Sequence, residues 1–126
     1  MNRKRLNKAE RQEVYDKLNG HCAYCGKEIT IQQMQVDHVI PMEFYDAYLA
    51  IGQNIDQMDN WMPACRSCNN YKHTLTLEKF RKALEHMPEV LMRDNKTYRN
   101  AVRFGLVTPT PHEVVFYFEQ INGGSV

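Results

Sequence analysis

Two pairs of cysteines are the most informative side chains in the sequence. Cys22 and Cys25 are separated by two residues, as are Cys65 and Cys68, and the chain contains no other cysteine. Two C-x-x-C knuckles supply the four thiolates of a tetrahedral zinc site, whereas a disulfide framework or one redox-active motif would not explain both pairs. We therefore predict a structural zinc ion whose coordination sphere is closed, so catalysis must come from other residues.

A second set of polar side chains lies between the knuckles and directly after them. Asp37 and His38 are neighbours, and Asn60 lies shortly before the second knuckle. A carboxylate suits Mg²⁺ or Mn²⁺, and a neutral histidine accepts a proton from water near neutral pH. A one-metal hydrolytic site is conceivable, although an Asp-His pair by itself is more typical of a polar contact without chemistry. The polar residues after the second knuckle are Asn69, Asn70, Lys72 and His73.

Local patterns predict the elements that hold these residues. Asn7 with Glu10 three positions later is typical of a capping box at the start of a helix. Loose alternation of β-branched and polar residues, closed by Pro41, puts Asp37 and His38 at the end of an extended segment. The predicted elements are a helix at 8–19, extended structure at 29–40, a helix at 42–51 whose apolar residues pack as core, and a strand at 60–64.

The remainder of the chain is predicted to be mostly helical. One helix follows the second knuckle over 66–73, another runs from about Thr76 to Pro88, and a third covers 88–104. A strand is predicted at 114–118 and a frayed end at 123–126. Four basic residues on one face of the third helix are candidates for sequence-independent contact with nucleic acid, with a solvated helix face as an equal alternative: Arg93, Lys96, Arg99 and Arg103.

Composition is that of a soluble globular protein with one domain over residues 1–126. Of the 126 residues, 43% are apolar and 25% are charged, which argues against extended disorder. The sequence has no apolar run that could span a membrane and no secretory signal, so we expect no membrane association and a cytoplasmic location. The net charge of +1 is unevenly distributed: residues 28–60 carry six acidic and no basic side chains between two basic flanks.

The combined motifs resemble the HNH endonuclease family. They are C-x-x-C at 22–25, D-H-x-x-P at 37–41, Asn60, and C-x-x-C-N-x-x-K at 65–72, and the resemblance covers about Gly20 to Phe80. It implies an α+β protein with a small zinc-stapled ββα-metal core, also called a His-Me finger, at 20–80 with flanking helices. The extension at 81–126 has no assigned role.

The resemblance also implies roles for individual residues. His38 would be the general base that activates water, and Asp37 with Asn69 would bind a catalytic Mg²⁺ or Mn²⁺. Asn60 would orient the metal-binding loop and the His38 ring through hydrogen bonds. The structural zinc would be separate, bound by Cys22, Cys25, Cys65 and Cys68.

Two positions near this site keep alternatives open. His73 lies four residues after Asn69 and therefore on the same helix face, so either residue could complete the metal site, and His73 could instead contact phosphate. Lys72 matches a basic position of the family pattern and could contact phosphate, but it could equally be solvated or cover apolar surface with its stem.

The leading hypothesis is a metal-dependent endonuclease or nickase that acts on DNA. The alternatives are a non-catalytic zinc-stapled module that binds nucleic acid, and a protein-interaction domain that uses residues 42–59. Joint presence of Asp37, His38 and Asn69 favours the enzyme, because a binding module needs no such set. Short members of the family are typical of phages and mobile elements in bacterial hosts. The sequence leaves open which DNA sequence is recognised and whether the substrate is DNA or RNA. It also leaves open whether the protein forms a homodimer or has a partner subunit.

Overall fold

The computed structural model describes residues 3–122. The chain forms two compact units, one made of residues up to Leu77 together with those from Val115 onward, and one made of residues 78–114. No helix among the described residues is both long and apolar enough to cross a membrane. The helices and strands are α1 (Lys8–Asp16), β1 (Gln35–His38), α2 (Tyr45–Leu49), β2 (Trp61–Ala64), α3 (Arg66–Lys72), α4 (Leu77–Glu85), α5 (Met87–Asp94), α6 (Lys96–Arg103) and α7 (Tyr117–Ile121).

Helix α1 begins with the predicted capping box. The side chain of Asn7 accepts a hydrogen bond from the Glu10 amide, and Glu10 accepts one from the Asn7 amide. The helix ends near Asp16, three residues earlier than predicted, and turns follow it. Just after this end, the Lys17 ammonium donates to the carbonyls of Met58 and Trp61, which fixes α1 against the start of β2.

Strands β1 and β2 form an antiparallel pair, and α3 follows β2 directly. Asp37 faces Met62 and His38 faces Trp61 in the register. This two-stranded sheet with its helix, among flanking helices, confirms the predicted α+β fold. The extended structure predicted at 29–40 is wrong outside β1, because Thr30 and Gln33 exchange side-chain to main-chain hydrogen bonds that close a turn.

The connection between the strands contains two short 3₁₀ turns and α2. The first turn is Met42–Phe44, and the second, Met58–Asn60, holds Asn60 one residue before β2 instead of in the strand. The prediction that the apolar residues of this connection form core is wrong for most of them. Ile51 is 70% exposed and α2 has no buried residue, whereas Met42 is buried.

The unit of residues 78–114 contains most of α4 and the two helices α5 and α6. The single helix predicted at 88–104 is broken at Asn95, whose backbone leaves the helical region at φ −118° and ψ 107°. The Asn95 side chain accepts a hydrogen bond from the Tyr98 amide and thereby caps α6. At the end of this unit, Arg81 donates to the Val114 carbonyl and Glu85 accepts from the Val114 amide.

The strand predicted at 114–118 is wrong. The residues before Phe116 have no regular structure, and α7 begins at Tyr117. The amides of Tyr117 and Phe118 donate to the carbonyls of Tyr24 and Ala23 at 3.1 and 2.9 Å, and the Phe116 ring is buried edge-on against Tyr24. The segment therefore closes over the first knuckle. The frayed end predicted at 123–126 lies outside the described residues.

Candidate active site

The four cysteines converge in one cluster. Their sulfur atoms all lie within 4.8 Å of one another, and Cys25 and Cys65 are 3.9 Å apart. A tetrahedral zinc ion with Zn–S bonds of about 2.3 Å separates its sulfur ligands by just under about 4 Å. The thiols are free and form no disulfide. The cluster therefore fits the predicted structural zinc, with Cys22 and Cys68 as the remaining two ligands.

The local backbone of both knuckles supports this cluster. Gly26 has a φ of +78°, and a β-carbon at this position would lie 2.8 Å from the Tyr117 ring, so the turn requires glycine. The Cys65 sulfur accepts a hydrogen bond from the Cys68 amide at the start of α3. The hydrogen bond from the Cys68 thiol lowers the pKa of Cys22 to about 4 and raises the pKa of Cys68, because the pair shares one proton.

A cleft of about 370 Å³ opens beside the end of β1 and the end of α3. It brings together the predicted residues of the metal site and the base, since all of them belong to its wall. The polar residues on the wall are Asp37, His38, Asn69, Asn70, His73, Thr74, Arg3 and Glu43. Arg3 and Glu43 were not singled out in the sequence.

The His38 ring is held by an acid that the sequence did not reveal. Its Nε2 lies 2.7 Å from Asp56, which also accepts hydrogen bonds from the Trp61 indole at 3.2 Å and the Lys4 amide at 2.6 Å. Burial alone would raise the pKa of Asp56, but these three donors outweigh it and lower the pKa. An ionised carboxylate only accepts, so the proton of a neutral His38 ring is on Nε2.

The other ring nitrogen of His38 is in an unusual position. Its Nδ1 is buried and has no hydrogen-bond partner within residues 3–122, while the side chain belongs to the cleft wall. A buried polar atom without a partner costs free energy, and such atoms in folded proteins call for an explanation such as a catalytic role. With the proton on Nε2, this nitrogen carries a lone pair that can accept a proton.

Asp37 is part of a buried ion pair. Its carboxylate lies 3.1 Å from the Lys72 ammonium and accepts a hydrogen bond from the Tyr24 hydroxyl. Lys72 has no exposed surface and also donates to the His38 carbonyl at 3.0 Å. The predicted phosphate contact of Lys72 is therefore wrong, and so is the alternative of a solvated side chain. Burial raises the pKa of Asp37, although Lys72 and Tyr24 act in the opposite direction.

Asn60 holds the main chain at two points of the connection between β1 and β2. Its side-chain amide donates to the carbonyls of Ile40 and Ile55 and accepts from the Ile40 amide, all between 2.8 and 3.0 Å. This agrees with the expected orienting role for the loop after β1. The expected hydrogen bond from Asn60 to the His38 ring is not present within residues 3–122, so this part of the prediction is wrong. Asp56 contacts the ring instead.

Asn69 and His73 both lie on the cleft wall, as their helical spacing predicts. Asn69 donates its amide group to Gln35 at 2.7 Å, which leaves its carbonyl oxygen as the atom available to a cation. His73 follows the end of α3 with a φ of +49°, and its Nδ1 lies 3.2 Å from the Thr74 hydroxyl. Hard oxygen donors from Asp37 and Asn69 form a donor set of the kind that binds Mg²⁺ or Mn²⁺.

The predicted basic stripe does not lie on one helix, because Arg93 belongs to α5 and the other three members belong to α6. Arg93 pairs with Asp94 at 2.8 Å, and Arg99 donates to the carbonyls of Met92 and Arg93 at the end of α5. Lys96 and Arg103 lie on α6 beyond the break at Asn95. Arg103 also lies over the Phe104 ring, 5.6 Å from its centre. Contact of the whole stripe with nucleic acid stays a prediction, although three of its four members have partners in the protein.

Comparison with known proteins identifies a family match in the same region. The family model described as HNH endonuclease matches residues 22–75, which confirms the predicted resemblance over this range. A search of curated proteins found no significant match. The crystal structure of the Type II-C Cas9 enzyme from Actinomyces naeslundii is similar to this chain with a TM-score of 0.49 and 17% sequence identity. The similarity covers 66% of this chain and only 8% of the Cas9 chain.

Proposed function

We propose that this chain, with its HNH endonuclease match at 22–75, is a metal-dependent endonuclease that hydrolyses phosphodiester bonds of DNA. The observation that carries the proposal is the state of His38. One ring nitrogen is hydrogen-bonded to Asp56, and the other is a buried acceptor without a partner in the described chain, on the wall of a polar cleft. A histidine that acts as a general base has this arrangement when a carboxylate keeps its ring in one tautomer.

Five residues at or near the cleft have a part in the proposed reaction. Nδ1 of His38 takes a proton from the attacking water, and the Asp56 carboxylate stabilises the imidazolium that results. Asn60 holds the main chain at Ile40, two residues after the base. The chemistry supplied by a divalent cation held by Asp37 and Asn69 is stabilisation of negative charge that develops on the phosphate.

The first test is cleavage of supercoiled plasmid by the purified chain with added Mg²⁺ or Mn²⁺. We expect nicked or linear product, and no product with EDTA or with His38→Ala. Asp56→Asn should lower the rate constant by about 10-fold to 100-fold, because an amide can also donate to the ring and brings no negative charge to stabilise the imidazolium. Asp59→Asn is the matched control, since Asp59 is an exposed acid of the same connection, and its rate should stay at the wild-type value.

The outcomes separate a nuclease from other readings. Cleavage that persists in His38→Ala would contradict the assigned base, and a folded wild-type chain that cleaves with neither metal would contradict the enzyme. Whether one strand or both are cut follows from the ratio of nicked to linear product in the same gel.

One observation favours a second candidate, a zinc-stapled module that binds nucleic acid without turnover. The Asp37 carboxylate is already neutralised by Lys72 and bonded to Tyr24, so the buried charge is balanced without a cation. Such a module would bind DNA in a salt-sensitive manner. It would show no cleavage with Mg²⁺ or Mn²⁺, and Asp37→Asn would leave its DNA affinity unchanged.

A further inference from the structure

The segment before α1 is anchored beside the catalytic histidine. The Lys4 amide donates to Asp56 at 2.6 Å, and Asp56 in turn binds the His38 ring. The Lys4 ammonium pairs with Glu10 and lies 5.9 Å from the centre of the Trp61 ring. These three contacts fix Lys4 and thereby place its neighbours Arg3 and Arg5 close to the base.

Arg3 and Arg5 line two clefts that share His38 as a wall residue. Arg3 belongs to the wall of the 370 Å³ cleft that contains Asp37 and Asn69. A second cleft of about 290 Å³ is lined by Arg5 and Arg11. The two clefts share three wall residues, which are Arg3, Val36 and His38. A strand that runs through both clefts past the base would therefore meet Arg3 in either cleft and Arg5 in the smaller one.

These two arginines differ from the other cations of the site. Within residues 3–122, neither Arg3 nor Arg5 has a hydrogen bond or an ion pair, and both are exposed. In contrast, Arg11 donates to the carbonyls of Ile31 and Met34, and Lys72 is buried against Asp37. The guanidinium groups of Arg3 and Arg5 are thus the ones that can still bind an external anion.

We propose that Arg3 and Arg5 form a binding site for the DNA backbone, with their guanidinium groups on the phosphates that flank the scissile one. A guanidinium stays charged at every working pH and binds phosphate oxygens in a bidentate manner. Glu43 is the exposed acid on the wall of the larger cleft, and the buried acid of this wall, Asp37, is already paired with Lys72. The inference rests on the proposed function for the identity of the reacting phosphate.

The test measures DNA binding apart from cleavage. A short fluorescein-labelled DNA duplex is titrated with the full chain, without Mg²⁺ or Mn²⁺, over a series of salt concentrations, and affinity is read from fluorescence anisotropy. Arg3→Gln/Arg5→Gln should make the slope of log affinity against log salt shallower by about one for each arginine. At the lowest salt concentration, the affinity of this variant should be about tenfold or more below that of the wild type.

A matched control removes the same charge elsewhere. Lys8→Gln/Lys27→Gln also loses two positive charges, from exposed positions that line neither cleft. We expect this control to keep the wild-type slope. Equal losses in both double variants would overturn the proposal, because they would reflect net charge alone, and an unchanged slope in Arg3→Gln/Arg5→Gln would overturn it as well.

The result stays distinguishable from a failure of the proposed function. Wild-type binding that depends on Arg3 and Arg5 without any cleavage would support the backbone site and count against the nuclease. Cleavage that depends on His38 but not on the two arginines would support the nuclease and overturn the backbone site. Circular dichroism of each variant checks that the exposed substitutions leave the fold intact.

Discussion

At the scale of single residues, the site depends on buried polar groups that satisfy one another. His38, Asp37, Asp56 and Lys72 are all less than a tenth exposed, and each makes at least one charged contact. Burial strengthens such contacts, and it also makes each partner costly to remove. Lys72 is the clearest case, because it is the counter-charge of a proposed metal ligand.

We expect Lys72→Met to destabilise the protein by about 3–5 kcal/mol, because it leaves the Asp37 carboxylate buried without a counter-charge. Urea unfolding followed by circular dichroism measures the change. Arg66→Met is the control, since Arg66 is an exposed cation of the same helix, and its cost should stay within about 0.5 kcal/mol. Similar stabilities of Lys72→Met and wild type would contradict an ionised Asp37 in the folded state.

The residues that belong to a sequence motif were predictable, whereas the distant residues that contact them in the fold were not. The cysteine pairs and the Asp37-His38 motif are close in sequence, so residue type and spacing identified them. Asp56 lies 18 positions from His38, in a polar loop whose composition is that of any solvated turn. A lysine after the second knuckle likewise predicts a surface cation, and only the packing of α3 against β1 reveals that Lys72 is buried.

At the scale of elements, strong local signals gave correct predictions and weak ones did not. The capping box of α1 and the helix after the second knuckle are local, so the sequence was sufficient for them. The break at Asn95 depends on a side chain that caps α6 inside a long helical pattern. The predicted strand at 114–118 failed because β-branched and aromatic residues also suit an irregular segment that packs on the first knuckle.

The capping box gives α1 a stability that depends on pH. Hydrogen bonds from the Lys4 ammonium and the Asn7 amide lower the pKa of Glu10 below 4.5. A lowered folded-state pKa contributes stability above the unfolded-state pKa, and this contribution is lost as the pH falls through the folded-state value. Glu10→Gln should therefore be less stable than wild type at neutral pH, and the difference should shrink as the pH falls below about 4.

Urea unfolding of both proteins at a series of pH values measures this difference. Zinc release at low pH affects the wild type and the variant alike, so the difference between them is the quantity to compare. A difference that stays constant over the whole series would show that the Glu10 charge contributes nothing to the cap.

At the scale of the whole molecule, the cysteine cluster and the proposed cation site at the cleft would bind metals of opposite chemistry for separate purposes. Four sulfur atoms suit zinc and hold the knuckles, whereas the oxygen donors of Asp37 and Asn69 suit Mg²⁺ or Mn²⁺ at the cleft. Soft thiolates retain zinc far more tightly than two oxygen ligands retain a hard cation. Activity and folding should therefore respond differently to metal removal.

We expect brief EDTA treatment to abolish cleavage while about one zinc per chain and the fold remain, and added Mg²⁺ alone to restore the activity. Cys65→Ser should lose zinc and fold poorly, because metal binding contributes folding free energy. Mass spectrometry of bound zinc and circular dichroism measure both effects. Ser67→Ala, in the same knuckle without a sulfur, should keep its zinc. Loss of zinc without loss of structure in Cys65→Ser would contradict the structural role.

The closure of the last helix over the first knuckle affects how the protein is made. The Tyr117 amide meets the Tyr24 carbonyl across 93 positions of sequence, and the Phe116 ring packs on the same tyrosine. Contacts this distant along the chain form late, because a long loop must close first. A nascent chain on the ribosome thus carries both cysteine pairs and the Asp37-His38 motif well before it can complete the frame around them. The order of synthesis therefore delays completion of this frame until residues 116–118 have been translated.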